Sequence, residues 1–248
     1  MTILYITGAG VSAASDIPTF RGQDGYWTIG SKNYTPMKMA TRAMYKFNPH
    51  EFLAWYYHRF TTYRDYGPNE VHKWLSDKNV ITQNIDGLDG KAGNKNYIAI
   101  HGRLDQMTLY QKNGLPEPIA APWYKVDESR LNDSLLELFN IENKNPKVNR
   151  SFKPYVLLFD EYYTELYRFR EAKQRMLNAD KMVFIGTSFN VGITNMALQI
   201  AAEYNKLVEI VDPDPVALSI GNITYKKWRQ STIYKKWDDF CSSHRAIN

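Results

Sequence analysis

Gly8, Ala9, Gly10, Ser12, Ala13 and Ala14 are all small, and they follow directly on a short apolar run, Ile3, Leu4, Tyr5 and Ile6. In strand–turn–helix units such a turn lets backbone N–H groups come close to a phosphate. Other segments carry side chains that could act on a bound ligand. TQNIDGLDG at residues 82–90 holds Gln83, Asn84, Ile85 and Asp86, His101 precedes Gly102, and GTSFNV at 186–191 holds Gly186, Thr187 and Ser188. IVDPD at 210–214 adds Asp212, Pro213 and Asp214. Amides and carboxylates can orient a ligand, and an imidazole titrating near neutrality suits general-base work. Each residue also has a structural reading: His101 as a half-buried histidine, Asn84 and Asp86 as turn caps, residues 186–188 as a helix-capping loop. The first turn lacks the full G-x-G-x-x-G pattern, so by itself it leaves dinucleotide binding and a tight structural turn both open.

Short apolar runs must position these segments. Residues 3–6, 79–83, 97–100, 155–159, 182–185 and 207–211 read as strands, with helical patterns between several of them. The alternation predicts an α/β fold: a Rossmann-like, doubly wound parallel sheet with helices on both faces. Ligands bind such sheets beyond the carboxyl ends of the strands, where all the segments above fall. Residues 36–76 are helical and aromatic-rich, with a helix start at Asn48-Pro49 and a break near Gly67-Pro68. Residues 103–153 are polar and weakly periodic apart from 131–139. The chain therefore reads as a single domain, 1–248. Its core spans residues 1–35, 77–102 and 154–248, and a smaller lobe is formed by excursions at 36–76 and 103–153.

Of the 248 residues, 44% are hydrophobic and 14% aromatic, enough for a packed core. No apolar run reaches the roughly 20 residues of a membrane span. No basic leader followed by an apolar run opens the chain, which sets the expectation of a cytoplasmic protein. The one cysteine, Cys241, excludes an intrachain disulfide and a cysteine-built zinc site. A net charge of +5, spread along the chain without a recognition motif, points to an anionic substrate or cofactor rather than nucleic acid.

Taken in order, these blocks resemble the Sir2 family of NAD-dependent protein-lysine deacylases, the sirtuins. The family's opening G-A-G-[IV]-S-x-x-S-G-I-P-x-F-R stands at residues 8–21, with Asp16 where glycine is usual. T-Q-N-I-D-x-L is intact at 82–88, the histidine–glycine pair is 101–102, and G-T-S-x-x-V is intact at 186–191. The resemblance implies NAD as cofactor and acylated-lysine proteins as substrates. It places Gly8, Ala9, Gly10, Ser12 and Ala13 at the pyrophosphate, with Arg21 as a nearby cation and Phe20 over the ribose face. Gln83 would reach the ribose hydroxyls, and Asn84, Ile85 and Asp86 would serve the nicotinamide end. Gly186, Thr187, Ser188, Asp212, Pro213 and Asp214 complete the implied cofactor set. Asp212 stands where asparagine is usual, and a carboxylate there accepts ribose hydroxyls and disfavours a 2′-phosphate. Asn84 and His101 are the implied catalytic residues, with His101 as general base.

Two departures and one further match sharpen this reading. Sirtuins usually hold a structural zinc with four cysteines after the histidine–glycine pair, and residues 103–153 contain none, which implies a zinc-free lobe. Met107, Leu109, Tyr110, Leu115, Ile119, Trp123 and Tyr124 could supply a hydrophobic cluster instead. KPYVLLFDEYY at 153–163 resembles the family's peptide-clamping segment, with Val156 and Phe159 as substrate contacts and Asp160 in place of glycine. Tyr56 and Arg59, three apart and so on one helical face, match the Y-x-x-R spacing of sirtuins that remove succinyl, malonyl and glutaryl groups. Ala40 falls where those enzymes widen the pocket. The implied activity is thus NAD-dependent desuccinylation or demalonylation. An NAD glycohydrolase and a non-catalytic NAD- or ADP-ribose-sensing module are the alternatives; the former usually sits in longer chains.

Overall fold

Strand β1 (Ile3–Thr7) is buried at its last four residues because both faces of the sheet are covered. Leu4 and Ile6 pack with Ala172, Met176, Ile193 and Ala197 on one side. Tyr5 packs with Leu75, Val183 and Phe240 on the other. This two-residue alternation explains why the strand reads as a continuous apolar run. The structure is a computed structural model that describes residues 1–19, 34–111, 117–215 and 231–244.

The other strands are β2 (Val80–Thr82), β3 (Ile98–Ala99), β4 (Gly102–Leu109), β5 (Ile119–Ala120), β6 (Phe152–Val156), β7 (Lys181–Ile185), β8 (Leu207–Val211) and β9 (Ser231–Tyr234). Six of them form a parallel sheet in the order β3-β2-β1-β7-β8-β9. The helices are α1 (Pro36–Met39), α2 (Arg42–Phe47), α3 (Pro49–Tyr63), α4 (Glu70–Trp74), α5 (Leu88–Lys91), α6 (Leu131–Leu138), α7 (Phe169–Asn178), α8 (Gly192–Glu203) and α9 (Trp237–His244). Helices α7 and α8 cover one face of the sheet, and α4 and α9 the other. Among the described residues no helix is long and apolar enough to cross a membrane.

Two expectations need correction. The strand expected at 155–159 lies earlier, at Phe152–Val156, and belongs to a separate antiparallel sheet of order β5-β4-β6. Its partner β4 carries little period-2 signal because it starts directly after His101 and bulges between Arg103 and Met107. The lobe's core also differs from the expected cluster. Met107, Tyr110 and Trp123 are buried, but Ile119 and Tyr124 are exposed, Leu109 is half-buried and Leu115 lies outside the described residues. The buried partners come from neighbouring helices: Tyr45, Phe52 and Tyr56 on one side, Leu135, Leu136 and Phe139 on the other. Trp123 is the centre of this packing, with its indole N–H donating to the Leu104 carbonyl at 2.7 Å.

Local signals behave as their chemistry predicts. Asn48 and Pro49 open α3. Asn69, after the Gly67-Pro68 break, caps α4 by accepting from the Val71 and His72 amides. Its own side-chain amide donates to Val11 O and Ser15 Oγ, tying α4 to the 3₁₀ turn Ala9–Ser15. Asp16 closes that turn at φ +59°, a left-handed position that aspartate tolerates and that accounts for glycine being usual there.

Candidate active site

The floor of the site is made where β1 and β7 end side by side. Gly8 N–H donates to Ile185 O at 3.0 Å and Gly10 N–H to Gly186 O at 2.9 Å. A Cβ on Gly8 would lie 2.6 Å from Gly186 O, and one on Gly10 would lie 2.7 Å from Gly186 Cα. Gly186 itself sits at φ +58°. These glycines are therefore required by each other, backbone against backbone. The amides of Gly8 and Gly10 are spent inside the protein, so they do not supply the phosphate-directed N–H groups expected from the sequence.

Side chains from the end of β2 are fastened to this floor. Asn84 Nδ2 donates to Gly8 O at 3.0 Å and to Ser12 Oγ at 3.1 Å. Ser12 Oγ donates to Asp86 Oδ2 at 2.7 Å, and Asp86 Oδ1 accepts from Leu88 N at 2.9 Å. With its amide nitrogen committed, Asn84 offers a ligand its carbonyl oxygen. Gln83 Nε2 donates to Thr7 O at 3.0 Å and Thr187 Oγ1 at 3.1 Å, so it bridges two strand ends instead of reaching outward. At the far end Asp212 Oδ1 accepts from Asp214 N at 2.9 Å, and burial raises the Asp212 carboxyl above its ordinary pKa.

His101 stands where β3 gives way to β4. Gly102 follows at φ +83°, and a Cβ there would fall 2.0 Å from Tyr155 O, so only glycine allows this crossing. His101 Nδ1 lies 3.0 Å from the Gln83 carbonyl, and Nε2 lies 3.0 Å from Tyr163 Oη. A carbonyl only accepts, so Nδ1 carries the proton and Nε2 accepts from the tyrosine. Burial pushes the imidazole pKa down to about 4, against a smaller opposing effect of the Gln83 carbonyl. At neutral pH His101 is a neutral base.

The lobe supplies the other end. Tyr56 and Arg59 project from α3, and both are buried. The Arg59 guanidinium lies 3.3 Å from the centroid of the Trp55 ring, and Nη1 donates to Trp55 O at 3.2 Å. Ala40 is buried, and its carbonyl accepts from Phe159 N at 3.0 Å. Val156 is buried and Phe159 is about half exposed. The Asp160 carboxylate accepts from the amides of Arg42 at 2.6 Å and Ala43 at 3.1 Å, capping α2. Lys153, buried beneath this loop, donates to Val156 O at 2.8 Å and Glu161 at 3.2 Å, and Arg42 pairs with Glu161 at 2.9 Å.

All the described candidate residues line one continuous cleft of about 1610 Å³, from Asp214 past Asn84 and His101 to Arg59. Phe20 and Arg21 lie outside the described residues. Sequence reasoning missed Tyr163, Arg103 and Tyr63, which also line it. Tyr163 fell within the segment singled out for Asp160, but in a chain with 18 tyrosines its type and spacing carried no signal.

A doubly wound parallel sheet with a polar cleft across its strand ends defines the class, a nucleotide-binding α/β protein. The Sir2 family model matches residues 8–192, and the chain belongs to that family. It is 32% identical over 223 residues to NAD-dependent protein deacylase 1 of Caldanaerobacter subterraneus subsp. tengcongensis, covering 87% of this chain and 84% of that protein. It is 34% identical over 211 residues to an NAD-dependent protein deacetylase of Saccharolobus solfataricus, covering 81% and 76%. In fold it is similar to a solved Sir2 homologue–NAD complex, with a TM-score of 0.67 at 23% identity over 94% of this chain and 83% of that one.

Proposed function

We propose that this chain removes acidic acyl groups, succinyl or malonyl, from protein lysines in an NAD-dependent reaction. NAD-dependent deacylation follows from its family and from relatives named for that activity. The donor set suits the cofactor: Ser12, Asn84, Asp86 and Asp212 gather at the strand ends above a floor with no side chains at Gly8, Gly10 and Gly186. NAD supplies a glycosidic bond whose cleavage leaves a sugar carbon open to the acyl oxygen. Asn84 offers its carbonyl oxygen to the positive charge that develops there, already oriented by Gly8 and Ser12. His101 receives a proton at Nε2 as general base. The Asp160 carboxylate is occupied at α2, which supports peptide docking along the adjoining loop despite the missing glycine.

One observation carries the acyl preference. Arg59 is only 7% exposed, lies one helical turn from Trp55, adjoins Tyr56 and borders the cleft. A guanidinium held this way can grip a carboxylate through two charge-assisted hydrogen bonds, and Tyr56 can add a third. The test is to incubate the protein with NAD and succinyl-, malonyl- or acetyl-lysine peptide, or no peptide, and to identify the products. Acyl-ADP-ribose with a higher kcat/KM for the acidic acyl groups is the expected result. Preference for acetyl-lysine would overturn the acyl assignment, and ADP-ribose formed equally without peptide would mean an NAD glycohydrolase.

A further inference from the structure

The imidazole of His101 has a single in-plane acceptor, Nε2, and Tyr163 already occupies it at 3.0 Å. The tyrosine is firmly seated. Its ring lies near-parallel to those of His101, at 5.9 Å and 23°, and Phe169, at 5.6 Å and 15°. Its edge meets Gly192, where a Cβ would lie 3.4 Å away. Burial raises the phenol to about 12 and lowers the imidazole to about 4, so the resting pair is a phenol O–H and a neutral imidazole. A hydroxyl in the cleft meets the phenol oxygen before it can meet Nε2, because both residues line the cleft and the tyrosine covers the nitrogen.

We propose that Tyr163 is a catalytic residue that relays the proton from the cofactor's ribose hydroxyl to His101. This rests on His101 being the base. In the relay the ribose O–H bond breaks and its proton bonds to Tyr163 Oη. The phenol's original O–H breaks, and that proton bonds to Nε2. Tyrosine ends neutral, the imidazole gains the positive charge, and the ribose oxygen keeps the electron pair for attack. Gln83 O holds Nδ1–H throughout and stabilises the imidazolium.

Tyr163→Phe removes only the hydroxyl and keeps the ring stack, and His101→Ala is the reference variant. The first readout is ¹⁵N NMR of histidine-labelled, NAD-free protein, with the His101 signal identified by its loss in His101→Ala. Tyr163→Phe is expected to move the Nε2 resonance toward that of an unbonded imine nitrogen and leave Nδ1 protonated; an unchanged Nε2 signal overturns the contact. The second readout separates two stages. Acyl-peptide-dependent exchange of labelled nicotinamide into NAD needs no base and should stay within about twofold. Deacylation should fall by at least about 100-fold, the lower end of the range for general acid–base groups. Deacylation within threefold of the parent, while His101→Ala is inactive, overturns the relay and leaves the base assignment standing. Equal loss of exchange and deacylation in Tyr163→Phe overturns it as well, since that marks a structural role. Deacylation retained by His101→Ala removes the base assignment, and the relay with it.

Discussion

The guanidinium carbon of Arg59 lies 3.3 Å from the centre of the Trp55 ring, one helical turn back along α3. The indole face attracts the cation and helps to hold it beside the cleft. Arg59→Met should lower kcat/KM for succinyl-lysine peptide by at least about tenfold, because losing one partner of a partly buried charge pair costs roughly 2–5 kcal/mol. Acetyl-lysine activity should hold or improve. Equal losses on both substrates would mean that Arg59 supports the fold or the cofactor site instead.

The low pKa of His101 fixes the direction of a pH effect. Its value in the folded protein, about 4, lies below the ordinary 6.5, so the imidazole stays neutral as pH falls through 6.5. A plot of kcat/KM for NAD against pH should therefore stay level from pH 8 to about 5.5, without the half-loss near 6.5 that an exposed histidine gives. The same depression contributes stability that is complete above pH 6.5 and is lost as pH falls toward 4. A half-loss of kcat/KM near pH 6.5 would show that the imidazole is not enclosed.

Asp89 has the opposite sign. It is 3% exposed, one of its carboxyl oxygens has no hydrogen-bond partner, and burial raises its pKa to about 7, with Asp86 adding to the rise and the Thr82 hydroxyl opposing it. The folded state holds this proton between pH 4 and 7 where the unfolded chain does not, so the contribution is present at low pH and lost as pH rises through about 7. Asp89→Asn should stabilise the protein at pH 8 by at least about 1 kcal/mol. Denaturant melts at pH 5 and pH 8 would check this. The gain should be largest at pH 8, and an equal change at both values would contradict it.

We propose that the packing around Trp123 lets the lobe fold without a metal. Among the described residues no group of three or more histidine, cysteine, aspartate and glutamate side chains is placed to hold an ion. Trp123 is 1% exposed and its ring meets Phe60 at 5.8 Å and Phe139 at 4.9 Å. Trp123→Ala should cost about 3–5 kcal/mol. Chelator should leave the parent protein's melting temperature unchanged, and elemental analysis should find far less than one zinc per chain. One tightly bound zinc per chain would refute the metal-free lobe.

The parallel sheet was legible because its strands are apolar on both faces and separated by helices, a pattern visible along the chain itself. β4 was not, since its buried and half-buried residues do not alternate throughout and its register is interrupted by a bulge that only the partner β6 reveals. The residues at the strand ends stood out because small, amide and imidazole side chains recur there, whereas their roles, and Ala40, Tyr56, Arg59, Val156 and Phe159 altogether, came only from the resemblance to the Sir2 family. Their orientation was less accessible. Gln83 turned inward to Thr7 and Thr187, and the Gly8 and Gly10 amides turned to the neighbouring strand end, because tertiary partners satisfied them first. Tyr163 was invisible for a related reason: its role exists only through a partner 62 residues earlier.

The interlock of Gly8, Gly10 and Gly186 has a consequence for redesign. At one end the cleft is cast in main chain, and a methyl group on any of the three collides with a neighbouring backbone atom. At the other end it is shaped by side chains on α3, among them Trp55, Tyr56 and Arg59. The two ends can therefore be retooled separately. On the proposed acyl assignment, variation confined to α3 would change which acyl group is accepted while the cofactor floor keeps its form.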